Sequence, residues 1–268
     1  MNKTIKEFIE KYISQGFTLA QARNLTAQLI ILSKIEKSKY VDSVLLKGGV
    51  VMYNITHEQR RTTTDLDFDF FHYSISNDSD IELFVDALNK KDSQYKVSIN
   101  GKIEELHQQD YRGKRVKLLI KDETESIKFK LDIGVHTLLA INQDRMCFSF
   151  GQGKEVILLV NPPEQMFAEK LFSLAKIGVT SVRFKDVDDM YYLIKNKSVD
   201  IKTVRKCLEL LTINPIGDIK DIQDVINKAI YTLNNQFFID GYINSGGSWL
   251  KQDYKDIKSC LIEYIYNI

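Results

Sequence analysis

The fold is decided by the stretch Arg61-Thr62-Thr63-Thr64-Asp65-Leu66-Asp67-Phe68-Asp69-Phe70. Acidic and apolar residues alternate in its second half, and alternation with a period of two is typical of a β-strand whose two faces meet different surroundings. Successive strand side chains point to opposite faces, so the carboxylates of Asp65, Asp67 and Asp69 share one face. The pattern predicts a strand with three carboxylates aligned along it.

This acidic face has two interpretations. One is a solvated strand face without further role. Against it, aspartate is disfavoured in strands, and like charges two residues apart repel unless something positive lies among them. A divalent cation would supply that charge. A calcium-binding loop is excluded, because Phe70 and Ser76 occupy the positions that require glycine and a bidentate glutamate.

Two further segments could contribute to a site beside this strand, a glycine pair upstream and a single aspartate downstream. Upstream, an apolar strand ends in Lys47-Gly48-Gly49 and continues as an apolar, helical segment. Glycines at such a junction let backbone N–H groups approach a phosphate, although a glycine pair alone is most often only a turn. Downstream, Asp132 stands in an otherwise apolar strand. It becomes a third ligand only if it meets Asp65 and Asp67.

The rest of the chain divides into a mixed half and a helical half. Apolar periodicity predicts two helices over 5–37, broken near Gly16, and another over 80–89. Period-two runs predict strands at 44–46, 66–70, 116–120, 127–133, 146–150 and 156–160, with a turn at Gly113. After Pro163 the pattern is helical, over 164–177, 184–195, 201–211 and beyond. The predicted fold is α+β, with a mixed-sheet domain over 1–160 that has N-terminal helices and a helical domain over 161–268.

Composition narrows the class of protein. The chain has 268 residues, 37 Lys and Arg against 36 Asp and Glu, and three cysteines far apart in sequence. Its longest apolar runs, such as 156–160, are far shorter than the roughly 20 residues that cross a bilayer, and no signal segment begins the chain, so we expect a cytoplasmic protein. Neither a disulfide framework nor a zinc site is indicated. The segment 90–130 is locally basic, with eleven Lys and Arg against seven acids.

The order of strand, Gly-Gly turn, helix, Asp-x-Asp strand and later single Asp resembles the nucleotidyltransferase superfamily. More closely, the chain resembles the AbiEii/AbiGii family of nucleotidyltransferase toxins, found in abortive-infection and type IV toxin-antitoxin systems. The motifs that carry the resemblance are Leu46-Lys47-Gly48-Gly49, Arg61-x-Thr63-x-Asp65-Leu66-Asp67-Phe68, Glu169-Lys170-Leu171 and Lys185-Asp186-x-x-Asp189. Together they span about 41–193.

The resemblance implies a role for each matching residue. Asp65 and Asp67 would hold two Mg²⁺ ions, and Asp132 would be the third carboxylate. Gly48 and Gly49 would offer backbone donors to the phosphates of an NTP. The amine of Lys170 would hold the triphosphate, and Asp186 would position nucleotide or acceptor at the active cleft. Asp69 lies outside the family pattern and is expected to be structural. From periodicity alone, Lys170 is an ordinary solvated helix lysine.

The resemblance also implies an activity. The protein would transfer NMP from an NTP to an acceptor hydroxyl, with RNA and in particular the 3′ end of tRNA as the expected acceptor. Growth would be inhibited, and a separately encoded antitoxin would restrain the toxin. Two alternatives stay open: a non-catalytic nucleotide- or RNA-binding protein on the same fold, and an enzyme that modifies a protein hydroxyl.

Overall fold

A computed structural model describes residues 3–71, 77–90, 94–106, 113–136, 140–150, 153, 155–246 and 248–268. These residues fall into two compact units, the first within Met1–Thr137 and Gln143–Val160, the second within Leu138–Asn142 and Asn161–Ile268. The predicted boundary between 160 and 161 stays a prediction about domains, because compactness is not independent folding.

The first unit is built on one mixed sheet. Its strands are β1 (Val44–Lys47), β2 (Asp65–Phe71), β3 (Lys96–Ile99), β4 (Glu104–Leu106), β5 (Gly113–Lys121), β6 (Ser126–His136), β7 (Asp144–Ser149) and β8 (Glu155–Val160). They follow the order β3-β5-β6-β2-β1-β8-β7, and β4 pairs with β5. The pairs β2/β6 and β1/β8 are parallel and the others are antiparallel.

In the described part of this unit, four α-helices accompany the sheet, namely α1 (Ile5–Ser14), α2 (Leu19–Glu36), α3 (Gly49–Thr56) and α4 (Asp78–Leu88). Thr4 and Thr18 are the N-cap residues of α1 and α2, and each forms a capping box with the residue three positions later. Helix α2 is buried on nearly all sides and packs on β6 and β8. The predicted break near Gly16 is confirmed.

One face of the sheet forms the core of this unit. Phe68 and Phe70 of β2 are fully buried and make edge-to-face and tilted ring contacts with Phe84 of α4. Burial of one such ring stabilises the fold by about 1.5–3 kcal/mol. The apolar half of the alternating stretch is therefore held inside, which fixes the direction of its acidic half.

The second unit is helical. It contains α5 (Pro163–Ile177), α6 (Phe184–Asn196), α7 (Ile201–Leu211), α8 (Ile222–Asn234), α9 (Gln236–Asn244) and α10 (Tyr254–Tyr266). Pro163 occupies the first turn of α5, where a missing N–H costs nothing. The three helices predicted over 164–177, 184–195 and 201–211 are confirmed within one residue at each end. Gly113, however, is a buried strand residue and not the predicted turn.

Candidate active site

Strand register brings the predicted carboxylates together. Strands β2 and β6 are parallel neighbours in which Asp67 lies opposite Asp132 and Asp65 lies opposite Lys130. Opposed residues of neighbouring strands share a face, and Asp65 shares it through its spacing of two from Asp67. One carboxylate oxygen from each of Asp65, Asp67 and Asp132 lies within 4.8 Å of the others. We call these three residues the acidic triad.

The outer two carboxylates of the triad have basic partners. Lys130 Nζ lies 2.9 Å from Asp65 Oδ2, and the Thr63 hydroxyl donates to Asp65 Oδ1 at 2.7 Å. Burial opposes ionisation here, yet these two contacts hold the pKa of Asp65 below its usual value. Arg115 donates from Nε and from one terminal nitrogen to the two oxygens of Asp132, each at 2.8 Å, and these bonds raise the pKa of the guanidinium.

Asp67 is the least compensated member of the triad. Burial raises its pKa to about 7, helped by the negative charges of Asp65 and Asp132 and only partly offset by Lys47 and Lys130. Among the residues that the structure describes, Asp67 accepts no side-chain hydrogen bond and forms no ion pair. Negative charge is thus concentrated at one point of the sheet face.

The two glycines of the turn are required by close approach. A Cβ on Gly48, whose φ is +68°, would lie 2.6 Å from Asp67 Oδ2, and a Cβ on Gly49 would lie 2.6 Å from Thr63 Cβ. Gly48 also caps α3, so the first backbone N–H groups of that helix begin beside the triad. Both positions thus require glycine because the side chains of Asp67 and Thr63 lie so close, and the approach of backbone to a phosphate stays a prediction.

Asp69 is placed as the sequence predicted, apart from the triad. Its side chain is fully buried, and both of its oxygens lie within 2.7 Å of Lys47 Nζ. Sequence reasoning missed Lys47 as its partner. The sequence alone carried no signal for this pair, because only the pairing of β1 with β2 brings Lys47 beside Asp69.

The second unit contains its own charged cluster. Lys170 of α5 lies 2.5 Å from Asp186 Oδ1 and 2.8 Å from Asp189 Oδ2, both of α6, and its side chain is only 10% exposed. The solvated lysine that periodicity alone favoured is therefore wrong. Arg183 approaches Asp186 at 4.0 Å from one turn earlier. The structure thus brings together the predicted Lys170 and Asp186 and adds Asp189.

A buried network missed by sequence reasoning supports this cluster. The Trp249 indole N–H donates to Asp189 Oδ1 at 3.0 Å, and Asp188 accepts from the backbone N–H groups of Trp249 and Leu250 at 2.7 and 3.3 Å. Tyr242 donates its hydroxyl to Asp188 as well. Burial raises the pKa of Asp188 although these donors counteract it. The doublet of buried acids in α6 was the available signal that partners were needed.

The triad suits a hard divalent cation. Carboxylate oxygens are the ligands that Mg²⁺ prefers, and three of them from adjacent strands lie within 4.8 Å. Arg115 and Lys130 each contact one outer carboxylate, and Asp67 is the least compensated of the three. The donor set and its excess of negative charge therefore fit the predicted metal.

No helix in the described part of the chain is long and apolar enough to span a membrane.

Fold and site together define a class of protein, the nucleotidyltransferase-like folds. A crystal structure of JHP933 from Helicobacter pylori shares this fold, with a TM-score of 0.51, 13% identity, and coverage of 94% of this chain and 92% of that one. A crystal structure of a putative nucleotidyltransferase from H. pylori matches at a TM-score of 0.45 and 14% identity, covering 90% of both chains. An antigenic nucleotidyltransferase-like protein from Paracoccidioides brasiliensis matches at 0.39 and 15%, covering 88% of this chain and 92% of that one.

The family model for the nucleotidyl transferase AbiEii toxin of type IV toxin-antitoxin systems matches residues 30–255, and the chain belongs to this family. The match includes both the acidic triad and the cluster around Lys170. A comparison with curated proteins finds no match. The predicted family and fold class are confirmed, and membership implies an NTP substrate and an antitoxin partner.

Proposed function

We propose that this nucleotidyltransferase moves NMP from an NTP to a hydroxyl of RNA in a Mg²⁺-dependent reaction, with the 3′ end of tRNA as the first candidate acceptor. The observation that supports it is the convergence of Asp65, Asp67 and Asp132 within 4.8 Å on one sheet face. Such a cluster is costly for a protein that binds nothing there, because like charges raise each other's free energy. Bound metal removes that cost.

In the proposed reaction the acceptor hydroxyl releases its proton to solvent water and its oxygen attacks the α-phosphorus, while the bond between that phosphorus and the leaving pyrophosphate breaks. Asp65, Asp67 and Asp132 would hold two Mg²⁺ ions, and these would supply positive charge to the triphosphate and to the acceptor oxygen. Arg115 keeps the Asp132 carboxylate in place through its two hydrogen bonds. Each residue of the triad thus has a task that its surroundings support.

Phosphate recognition is divided among backbone and side-chain donors. Gly48 and Gly49 bring backbone N–H groups at the start of α3 close to the triad, where a phosphate oxygen accepts from them. Lys170 binds the triphosphate through its compact positive charge. Asp186 and Asp189 fix the amine of that lysine, and Asp186, the more exposed of the two, positions nucleotide or acceptor.

The physiological outcome of this activity is inhibited growth. A tRNA that carries an extra nucleotide at its 3′ end accepts no amino acid, so translation stops. Membership in a type IV toxin-antitoxin family adds a cognate antitoxin that restrains the effect. Co-expression with that partner is expected to restore growth, whereas expression of the toxin alone arrests it.

The test is transfer of label. Purified protein is incubated with Mg²⁺, each α-labelled NTP in turn, and total cellular RNA, and the products are separated by size and by protease treatment. Label on tRNA that is lost in Asp67→Asn supports the proposal, because this change keeps the shape of the side chain and removes its charge. Asp144→Asn is the matched control, since Asp144 is an exposed acid of β7 in the same sheet.

Other outcomes contradict the proposal in distinct ways. Label that appears on protein and survives ribonuclease assigns the reaction to a protein hydroxyl. Nucleotide binding without transfer, with Mg²⁺ or Mn²⁺ and with every NTP, assigns the chain to the non-catalytic alternative. Transfer that is unchanged in Asp67→Asn removes the triad from the reaction.

A further inference from the structure

The sheet face that carries the acidic triad continues into a row of basic side chains on β3, β5 and β6. Register fixes this arrangement, since Asp132 lies opposite Arg115, Lys130 opposite Lys117, and Lys96 opposite Lys121. Opposed residues share a face, and positions two apart along a strand return to it. The basic track, as we call it, consists of Lys96, Arg115, Lys117, Lys121, Lys128 and Lys130.

We propose that the basic track is the docking surface for the sugar-phosphate backbone of the RNA acceptor and leads its 3′ end to the acidic triad. This inference rests on the proposed function and specifies where its substrate binds. The track touches the triad directly, because Lys130 contacts Asp65 and Arg115 contacts Asp132. A backbone lying along it ends at the carboxylates.

The far half of the track is the part available to a polyanion. Near the triad, Arg115, Lys117 and Lys130 are paired with Asp132, Glu104 and Asp65. Among the described residues, Lys96, Lys121 and Lys128 have no such partner, and all three are exposed. The lysines without a partner therefore lie at the end of the track away from the triad. In the proposed complex, the phosphate chain approaches at that end.

The arrangement of these lysines opposes stability. Lys96 lies directly opposite Lys121, and Lys117 directly opposite Lys130. Lys128 has Lys117 and Lys121 as its diagonal neighbours across the strand pair. Like charges that face each other across a sheet are destabilising, and a bound row of phosphates converts that repulsion into attraction.

The size and chemistry of the face suit nucleic acid. From Asp132 to Ser126 the strand covers six residues, or about 20 Å at 3.4 Å per residue, which is about six phosphates of one strand of a duplex. No large apolar side chain of β3, β5 or β6 is exposed in the described chain, whereas protein interfaces have apolar centres. The track favours RNA over a protein partner for this reason.

Acidic residues mark the far end of the track. Asp122 and Glu123 follow Lys121, and with Lys96, Lys121, Thr4 and Gln94 they line a cleft of about 400 Å³. Asp122 is already engaged, because it accepts from the backbone of Ile5 at the start of α1. A phosphate backbone is repelled beyond this point, so the cleft limits the length of the docked segment.

The test compares two triple variants of the full chain in the Asp67→Asn background, where no transfer complicates binding. One is Lys96→Gln/Lys121→Gln/Lys128→Gln, and the control is Lys206→Gln/Lys251→Gln/Lys255→Gln, which removes three exposed lysines of the second unit. Affinity for labelled tRNA is measured by anisotropy across a salt series. The track variant is expected to lose affinity about tenfold or more and to flatten the salt slope by about 2–3, while the control does neither.

A second readout separates this inference from the proposed function. In the active background, the track variant is expected to raise the KM for tRNA and keep kcat at saturating RNA, with unchanged NTP binding. Equal affinity and equal salt slope in both triple variants, together with normal transfer to RNA, would overturn the track and leave the function standing. Loss of antitoxin binding without loss of RNA binding would also overturn it and assign the face to a protein. Absence of any RNA binding or transfer by the unmodified protein overturns both.

Discussion

At the scale of single residues, Asp67 is a proposed metal ligand whose surroundings disfavour its charged form. In the unfolded chain its carboxyl has a pKa near 3.8, whereas in the fold burial and two neighbouring carboxylates raise the pKa to about 7. An acid whose pKa is raised on folding binds its proton more tightly in the folded state. Its ionisation therefore destabilises the protein, with no cost below pH 3.8 and the full cost above pH 7.

Asp67→Asn is expected to stabilise the metal-free protein increasingly as the pH rises from about 4 to about 7. The variant lacks the charge whose ionisation is costly, so its advantage over the unmodified chain grows across that window and is constant above it. The measurement is urea unfolding at a series of pH values in EDTA. Adding Mg²⁺ at pH 8 is expected to stabilise the unmodified chain and not the variant. A stability difference that does not change with pH would contradict the assigned pKa.

Gly48 tests close approach at the turn. Alanine there meets a φ of +68° and places its Cβ 2.6 Å from Asp67 Oδ2. Gly178→Ala is a matched control, because Gly178 has the same φ of +68° and a similar ψ, and a Cβ there has nothing within 4 Å. We expect both to lose about 1 kcal/mol or more from backbone strain, and only Gly48→Ala to lose transfer activity. Urea unfolding and label transfer decide, and equal activities would refute the close approach.

At the scale of elements, the antiparallel pair β5/β6 has one buried apolar face and one outer face that carries lysines. Its inner residues, such as Leu118 and Phe129, are buried, while Lys117, Lys128 and Lys130 stand together on the outer face. The inner face stabilises the pair and the outer face opposes it. A strand pair of this kind favours binding of a polyanion at the expense of its own stability.

Lys128→Glu is expected to raise the free energy of unfolding by about 0.2–1 kcal/mol and to weaken tRNA binding. Register places Lys117 and Lys121 diagonally across from residue 128 and Lys130 two positions along the same face, so glutamate there replaces repulsion by these three lysines with attraction. Lys206→Glu, an exposed change on α7, is expected to alter stability less. Chemical unfolding and anisotropy measure the two effects. A less stable Lys128→Glu protein would show that these lysines do not repel one another in the fold.

A second feature at this scale is the set of buried hydrogen bonds that joins α6 to the segment around Trp249. Asp188→Ala removes the acceptor of two backbone N–H groups and of the Tyr242 hydroxyl. Because unsatisfied buried donors cost about 1–3 kcal/mol each, we expect a loss of about 3 kcal/mol in unfolding free energy. Asp218→Ala, at a largely exposed acid, is expected to change it by less than about 0.5 kcal/mol. Similar stabilities for the two variants would mean that water satisfies the donors.

At the scale of the whole molecule, the near-neutral net charge is the sum of separate acidic and basic clusters. The chain has a formal net charge of only +1, yet acids converge on the triad and unpaired lysines on the basic track. Net charge describes solubility and nonspecific association, whereas recognition depends on where the charges lie. If the basic track binds RNA as proposed, the polyanion meets a positive surface although the net charge suggests none.

Binding of tRNA by the whole protein is expected to weaken about tenfold or more between 50 and 200 mM KCl. When Lys96, Lys121 and Lys128 neutralise phosphates, counterions are released from the RNA, which gives a slope of about −2 to −3 in log affinity against log salt. Anisotropy titrations at four salt concentrations measure the slope. An affinity that does not depend on salt would indicate recognition through uncharged contacts and would contradict an electrostatic docking surface.

Much of the fold was predictable from local pattern. The period-two run at 66–70 became β2, the apolar periodicity of 201–211 became α7, and Pro163 opened α5. Strands β3 and β4 were not predicted, since each is only three or four residues long and shows no extended alternation. Gly113 was assigned to a turn because glycine is a frequent turn residue, although pairing with Leu106 draws it into the sheet.

The candidate site was predictable in part. Family motifs selected the triad, the Gly-Gly turn, Lys170 and Asp186, and the structure brings the three carboxylates of the triad together. The partners Arg115, Lys130 and Trp249 were missed, and the motif residues Thr63 and Asp189 were given no contact. Arg115, Lys130 and Trp249 lie 17, 65 and 60 positions from Asp132, Asp65 and Asp189, and no local period relates two residues that meet only through folding.

The sequence by itself determined which side of β2 is acidic, where the helices begin, and that glycine stands at the turn, because these properties depend on neighbours a few residues apart. Only the tertiary structure decided that Asp67 lies beside Asp132, that Asp69 is neutralised by Lys47, and that the lysines of β3, β5 and β6 form one track. The physical reason is strand register. A shift of one residue turns every side chain of a strand to the other face, and the register is set by packing the whole apolar face at once.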